Sequence, residues 1–340
     1  MTSDSPIRVG AARGGVKDPL GWGLVVGLAA LAFVLGELIG PINAVIAALL
    51  LGILAGNALP GSERSDGVST FMLKRVLKFA IILLGAGIDA SLLALVNLRS
   101  IGAILIVIVL GIVIARLVGP RIGLSNDTSM LIGIGTAICG ASAIAAVAPI
   151  LRSKQEEIGL ALGTIFVFNA VAMLTYPVLA LALSLDPVLF GSWAGLGVHD
   201  TASAVATGFA YTAESGEAAT LIKLTRTLFL IPLVVLLAVW VSRGDTDSET
   251  SLGKSVAKSF PMFVVGFVAM ATANTLGLLG DVGTWISEAG KILVIAVVVA
   301  IGLSLKFGKI RALGPGLALT GLAAAIGVSI ASFAFVFNVL

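Results

Sequence analysis

Charge is scarce in this 340-residue chain: Asp, Glu, Lys and Arg make up 11% of it, against about 25% in an ordinary soluble domain. That shortage, beside 58% hydrophobic residues and apolar runs recurring along the whole length, excludes a soluble core. The single cysteine, Cys139, has no intrachain disulfide partner. One histidine and one cysteine, 60 residues apart, make no metal-ligand set, so no metal or other cofactor is expected. A phosphate-cradling P-loop is also missing, which argues against ATP hydrolysis. The net charge of +3 rests on basic residues in short loops rather than on one basic face, so nucleic acid is not an expected partner. Gly85 to Ala90 fits a dinucleotide-binding pattern but lies inside an apolar run with no preceding strand, and Gly140 to Ile144 lacks the last glycine of a nucleophile elbow.

What remains is an all-α polytopic membrane protein, because long unalternating apolar runs can satisfy their backbone in lipid only as helices. A flexible tail, residues 1–20, precedes a single transmembrane domain, 21–340. Spans are expected at about 22–39, 42–59, 75–96, 100–119, 154–185, 217–241, 258–278, 284–306 and 312–337, with further elements at 128–150 and 189–211. The first run carries no small-residue cleavage site and reads as a retained span. Residues 60–75 and 243–255 read as solvated loops.

Two Gly/Ala/Ser/Thr-rich segments are related by a constant offset of 61. Ala141-Ser142-Ala143 falls on Ala202-Ser203-Ala204, Glu156 on Glu217 and Thr164 on Thr225. A shared offset across two helices is the mark of an internal repeat. If all eleven elements cross, Arg152 and Lys154 land outside. If 128–150 and 189–211 instead dip in and return, every Lys and Arg except Arg99, Lys291, Lys223 and Arg226 lies on one side, as the positive-inside rule asks of the cytoplasm. The N-terminus is then cytoplasmic, the two units are inverted, and the halves meet near residue 186. A weaker likeness between the sequences around Gly87 and Gly302 has the same inverted sense. Inverted repeats with discontinuous elements meeting at the midplane are a transporter architecture, whereas small residues alone can serve helix packing.

The residues that carry chemistry follow from cost, since a charge at a helix centre in the bilayer costs at least about 2.5–3.5 kcal/mol. Lys223 and Arg226 share one helix face, and Arg226 sits about 14 Å from Glu217 along the axis. They are candidates either for binding an anion or for pairing with Asp89 or Asp200. His199, Asp200 and Thr201 stand in the second dipping segment. His199 is open to proton transfer, substrate donation or plain packing, and Asp200 requires a cation, a proton or donors. Backbone amides at broken-helix N-termini, near Cys139, Gly140, Ser142, Thr201 and Ser203, suit an anion. Asp89, His199 and Asp200 are the candidate coupling groups. Asn169, Thr164 and Thr225 are candidates for further hydrogen bonds or for helix bridges.

ICGASAIAAVAP (138–149), Glu156-Glu157 before a helix that reaches Tyr176-Pro177, WAGLGVHDTASAVATG (193–208) and KLTR (223–226) resemble the bacterial sulfate exporter family. The resemblance covers nearly all the chain after the tail. It implies a multi-pass inner-membrane secondary transporter, grouped with the cation:proton antiporter and anion transporter superfamily. The expected partners are a small anion such as sulfate, a coupling proton or sodium ion, membrane lipid and, by analogy with the fold, a second copy in a homodimer. A passive anion channel is the alternative, and an intramembrane enzyme using His199 with Ser142 or Ser203 is a third and weaker one.

Overall fold

A computed structural model describes residues 15–39, 44–88, 90–242, 261–308 and 314–339. Among them every regular element is helical. In order these are α1 (Pro19–Ile39), α2 (Ala44–Ala58), α3 (Asp66–Phe71), α4 (Leu77–Leu84), α5 (Leu98–Arg121), α6 (Asn126–Ala137), α7 (Ala141–Leu151) and α8 (Gln155–Ala182). They continue as α9 (Pro187–Gly197), α10 (Thr201–Phe209), α11 (Ala213–Leu228), α12 (Leu230–Ser242), α13 (Met262–Thr275), α14 (Gly280–Ser304) and α15 (Pro315–Val339). Six stretches are long and apolar enough to cross a membrane: α1, α5, α8, α11 with α12, α14 and α15. Helices α2 and α13 are shorter apolar members of the same bundle.

Two departures from the expected spans have local causes. Residues 60–75 are not a loop: a 3₁₀ turn (Ser62–Ser65) leads into α3, which runs through a π turn (Met72–Val76) into α4. Val68, Met72 and Leu77 are buried at helical spacing in the core, and Trp22 meets Phe71 edge-on, so packing overrides the polar composition of the stretch. The expected span 217–241 is divided at Phe229. Pro232 has no amide hydrogen and its ring crowds the carbonyl four residues back, at Leu228. The expected loop 243–255 lies outside the described residues, as does the tail as far as residue 14.

The core has two parts. One gathers residues of α1, α2, α4, α13 and α14; the other gathers α5, α6, α7, α9, α12 and α15. Helices α8, α10 and α11 give one face to each. Small residues permit the closest approaches: Gly52 and Gly302 bring the backbones of α2 and α14 together, where a Cβ on either would strike the opposite chain.

The pairs α6 with α7 and α9 with α10 are re-entrant hairpins. In the first, Ser125 before α6 donates from Oγ to Glu157 Oε1 at 2.6 Å, and Glu157 Oε2 accepts from Lys154 N at 3.0 Å, just after α7. The segment therefore ends where it began. In the second, Tyr211 donates to the Leu185 carbonyl at 2.8 Å, which closes the mouth in the same way. Helix α11 supplies a ruler: Gly191 and Gly208, one on each arm, both press on the Ser215 carbonyl, while Val198 and His199 near the turn meet Lys223. The arms thus run antiparallel. Glu157 is in the first turn of α8 and Leu185 lies just beyond its end, so the two mouths open at opposite ends of a helix about 42 Å long.

Candidate functional site

Each hairpin turns on three non-helical residues, Ile138-Cys139-Gly140 in the first and Val198-His199-Asp200 in the second. The turns meet. A Cβ added to Gly140 would lie 3.1 Å from the Asp200 Cβ, and Asn169, halfway along α8, accepts from Asp200 N at 3.1 Å. Gly140 holds φ 60° and ψ −123°, a conformation L side chains rarely adopt, so only glycine fits both the torsion and the contact.

The two buried cations join the turns. Arg226 donates from Nε to the Ala137 carbonyl at 2.6 Å and from Nη2 to Thr136 at 2.6 Å, both at the end of α6. Its Nη1 donates to the carbonyls of Leu196 and Val198, at the end of α9. Lys223 donates to Val198 at 2.6 Å and His199 at 2.7 Å. Both side chains are fully buried. A helix C-terminus has carbonyls without intrahelical partners and a partial negative charge, so two such ends facing each other in lipid require cations. Arg226 spans both ends with one planar fork, and Lys223 serves the second alone.

The opposite half-helix ends, the N-termini of α7 and α10, also converge here. Asp200 caps α10, its Oδ2 accepting from Ala202 N at 3.1 Å and Ser203 N at 3.4 Å. Helix α7 begins at Gly140 with no side-chain cap bond, although the Cys139 thiol faces the Ala143 amide. Cys139 and Asp200 occupy corresponding positions under the offset of 61, a neutral thiol on one turn and a carboxylate on the other.

Of the residues expected at the site, the structure brings together Cys139, Gly140, His199, Asp200, Thr201, Lys223 and Arg226, with Ser142 and Ser203 in the first turns of the two return arms. Asp89 lies outside the described residues. The two cations are tied to backbone carbonyls rather than standing free at the junction. Thr164 and Thr225 bond back to their own helices, at Leu160 and Leu221, while Asn169 reaches the second turn. Three polar atoms remain buried and unpartnered nearby: His199 Nδ1, Asn169 Nδ2 and Thr136 Oγ1. The acceptors of Arg226 are backbone groups, which no residue type announces in a sequence.

Outside the junction, α4 gives way through a 3₁₀ turn (Gly85–Gly87) to extended backbone at Ile88, whose carbonyl accepts from Asn274 Nδ2 at 3.2 Å. Helix α14 ends similarly: Leu305 is extended and its carbonyl accepts from Asn57 Nδ2 at 2.7 Å.

A helical bundle with two re-entrant hairpins touching at their turns defines an integral membrane protein with a buried polar centre. Residues 20–321 match the family described as conserved hypothetical protein 698. A UPF0324 membrane protein of Vibrio parahaemolyticus is 38% identical over 263 residues, 77% of this chain and 83% of the relative. Another from Bdellovibrio bacteriovorus is 36% identical over 269 residues, 79% and 81%. One from Streptococcus pyogenes is 32% identical over 315 residues, 90% and 93%. The chain belongs to this family of bacterial membrane proteins.

Proposed function

We propose that the protein is a secondary active transporter of a small anion, sulfate being the first candidate, working by alternating access coupled to protons or sodium. The observation that carries this reading is the meeting of two re-entrant turns whose hairpins open at opposite ends of α8. Broken elements entering from both sides and meeting at mid-depth are the arrangement that suits a binding site between two alternately opened routes. Arg226 and Lys223 neutralise the C-terminal ends of α6 and α9, and the N-terminal end of α7, which has no side-chain cap bond, is left facing the junction with positive character. Asp200 and His199 are the coupling groups, beside the unpartnered donor of Asn169.

The inverted repeat belongs to the same reading. Both hairpins keep the register of the offset of 61, and the pairs Asn57 with Leu305 and Asn274 with Ile88 hold two extended breaks in like manner. The distribution of Lys and Arg supports a cytoplasmic N-terminus, and with it a bacterial inner-membrane location. A carrier is favoured over a channel because the second hairpin is buried from Phe190 to Ala210 apart from Asp200, which leaves no open path through it. An enzyme is disfavoured because, among the described residues, the ring of His199 is bonded to the Thr136 backbone and to neither Ser142 nor Ser203, so no serine is aligned with a base.

The test is uptake of labelled sulfate by liposomes holding the purified protein, under imposed proton or sodium gradients and beside Asp200→Asn. Saturable uptake that follows one gradient, and loses that dependence in Asp200→Asn, supports the coupled carrier. A current that neither saturates nor exchanges would establish a channel instead. No uptake of sulfate, sulfonates or small carboxylates by folded protein would end the anion-transport reading.

A further inference from the structure

The two return arms, α7 and α10, correspond residue for residue under the offset of 61, yet they differ in what covers them. On α10 every residue is buried, with Ser203 at 2% exposure and Ala206 at 0%. On α7 the corresponding Ser142 and Ala145 are exposed, and so is Pro149 one turn further on. These three fall on one helix face and form a strip from the turn junction toward Arg152 at the mouth of the first hairpin. The opposite face, with Ile144, Val147 and Ala148, is packed in the core.

Lipid does not account for that strip. Where α5 and α8 are exposed they show large apolar side chains, such as Ile106, Val109 and Val113 on the one and Phe166, Val171 and Val178 on the other. The exposed face of α7 shows only a serine, an alanine and a proline. Its inner end reaches the junction, where Asp200 is the one residue of the second turn that is not fully buried. There Asn169, itself 2% exposed, holds Asp200 N through Oδ1 and leaves Nδ2 without a partner. An unused buried donor beside a carboxylate at the end of an open strip is the arrangement of a site reached by water.

We propose that the open face of α7 is one wall of an aqueous path from the mouth of the first hairpin to the junction. The structure is then the state open on that side and shut along the second hairpin. The inference rests on the transporter reading but is tested without a substrate. A protein that labels as described and carries no anion would overturn the earlier reading and leave this one standing.

The experiment places single cysteines by Ser142→Cys, Ala145→Cys, Ser203→Cys and Ala206→Cys in a Cys139→Ala background. If that background does not fold, the native chain serves, since Cys139 is 1% exposed. Membrane vesicles of both orientations are treated with an anionic, impermeant methanethiosulfonate, and in parallel with permeant N-ethylmaleimide. Ser142→Cys and Ala145→Cys should react at least about tenfold faster than their counterparts on α10, and only from the side that bears Arg152 and Lys154. The proposal fails if the α7 cysteines react only with the permeant reagent or with neither, or if both members of a pair react equally from one side. Should Ser142→Cys not fold, Ala145→Cys and Pro149→Cys decide the matter alone.

Discussion

The two hairpins have the same plan and are held by different means. The second is bound by aromatic rings. Trp193 stacks on Tyr176 of α8 with centroids 4.1 Å apart and meets Phe333 of α15 edge-on at 5.1 Å, while its Nε1 donates to the Ser329 carbonyl. Phe190 and Tyr211 close the mouth at 5.0 Å. The first hairpin, from Asn126 to Leu151, contains no aromatic residue and is closed at its mouth by Ser125 with Glu157. At the turns the contrast is reversed in kind: the first relies on a backbone form only glycine adopts, the second on the carboxylate of Asp200. Similar geometry thus comes from torsion and hydrogen bonds on one side and from ring packing and a charge on the other. It follows that the first should be the looser of the two, and substitution can test that.

The largest effect is expected at the one side chain both hairpins share. Arg226→Ala leaves carbonyls at the ends of both α6 and α9 without a donor, at about 1–3 kcal/mol for each buried group. The variant should fail to yield a monodisperse protein by size-exclusion chromatography. Arg226→Lys should recover only part, because a single ammonium cannot span both ends. Next comes Trp193→Ala, which removes a ring contacting two other helices and should destabilise by about 3–5 kcal/mol in thermal unfolding. Ala145→Leu on the open face of α7 should leave the melting temperature nearly unchanged, and equal losses at these two sites would break the comparison. Gly140→Ala is expected to cost about 1–3 kcal/mol and to reduce anion uptake, since it combines an unsuitable torsion with a close approach to Asp200. Thr201→Ala, at the corresponding position of the second hairpin, should be milder by the same measurements. The smallest loss apart from that control belongs to Glu157→Gln, which weakens the closure of the first mouth by about 0.5–1 kcal/mol. It should show as faster hydrogen exchange confined to α6 and α7.

Much of this plan could be read from the chain. Membrane residence follows from the shortage of charge, and the placement of Arg152 and Lys154 favoured segments that return to the side they entered. The contacts Ser125 with Glu157 and Tyr211 with Leu185 bear this out. Lys223 and Arg226 stood out because charge is costly in lipid, and they do lie at the centre. What they do there was not legible, because their partners are peptide carbonyls brought near by the fold. The helical character of residues 66–76 was hidden by its glycine, serine, threonine and charges, since the signal lies in the few side chains that pack, Val68 and Met72 among them. Cys139 was named among the residues of the first turn, and the offset of 61 pairs it with Asp200.

The reach of Arg226 also bears on how the chain is made. Its acceptors at Thr136 and Ala137 precede it by 90 and 89 residues. While the chain is being inserted, the first hairpin enters the bilayer with the open end of α6 unsatisfied, and it stays so until α11 emerges. The early half therefore cannot reach its final form by itself. A nascent chain halted before residue 213 is expected to hold an unfinished first hairpin, which limited proteolysis of arrested chains would check.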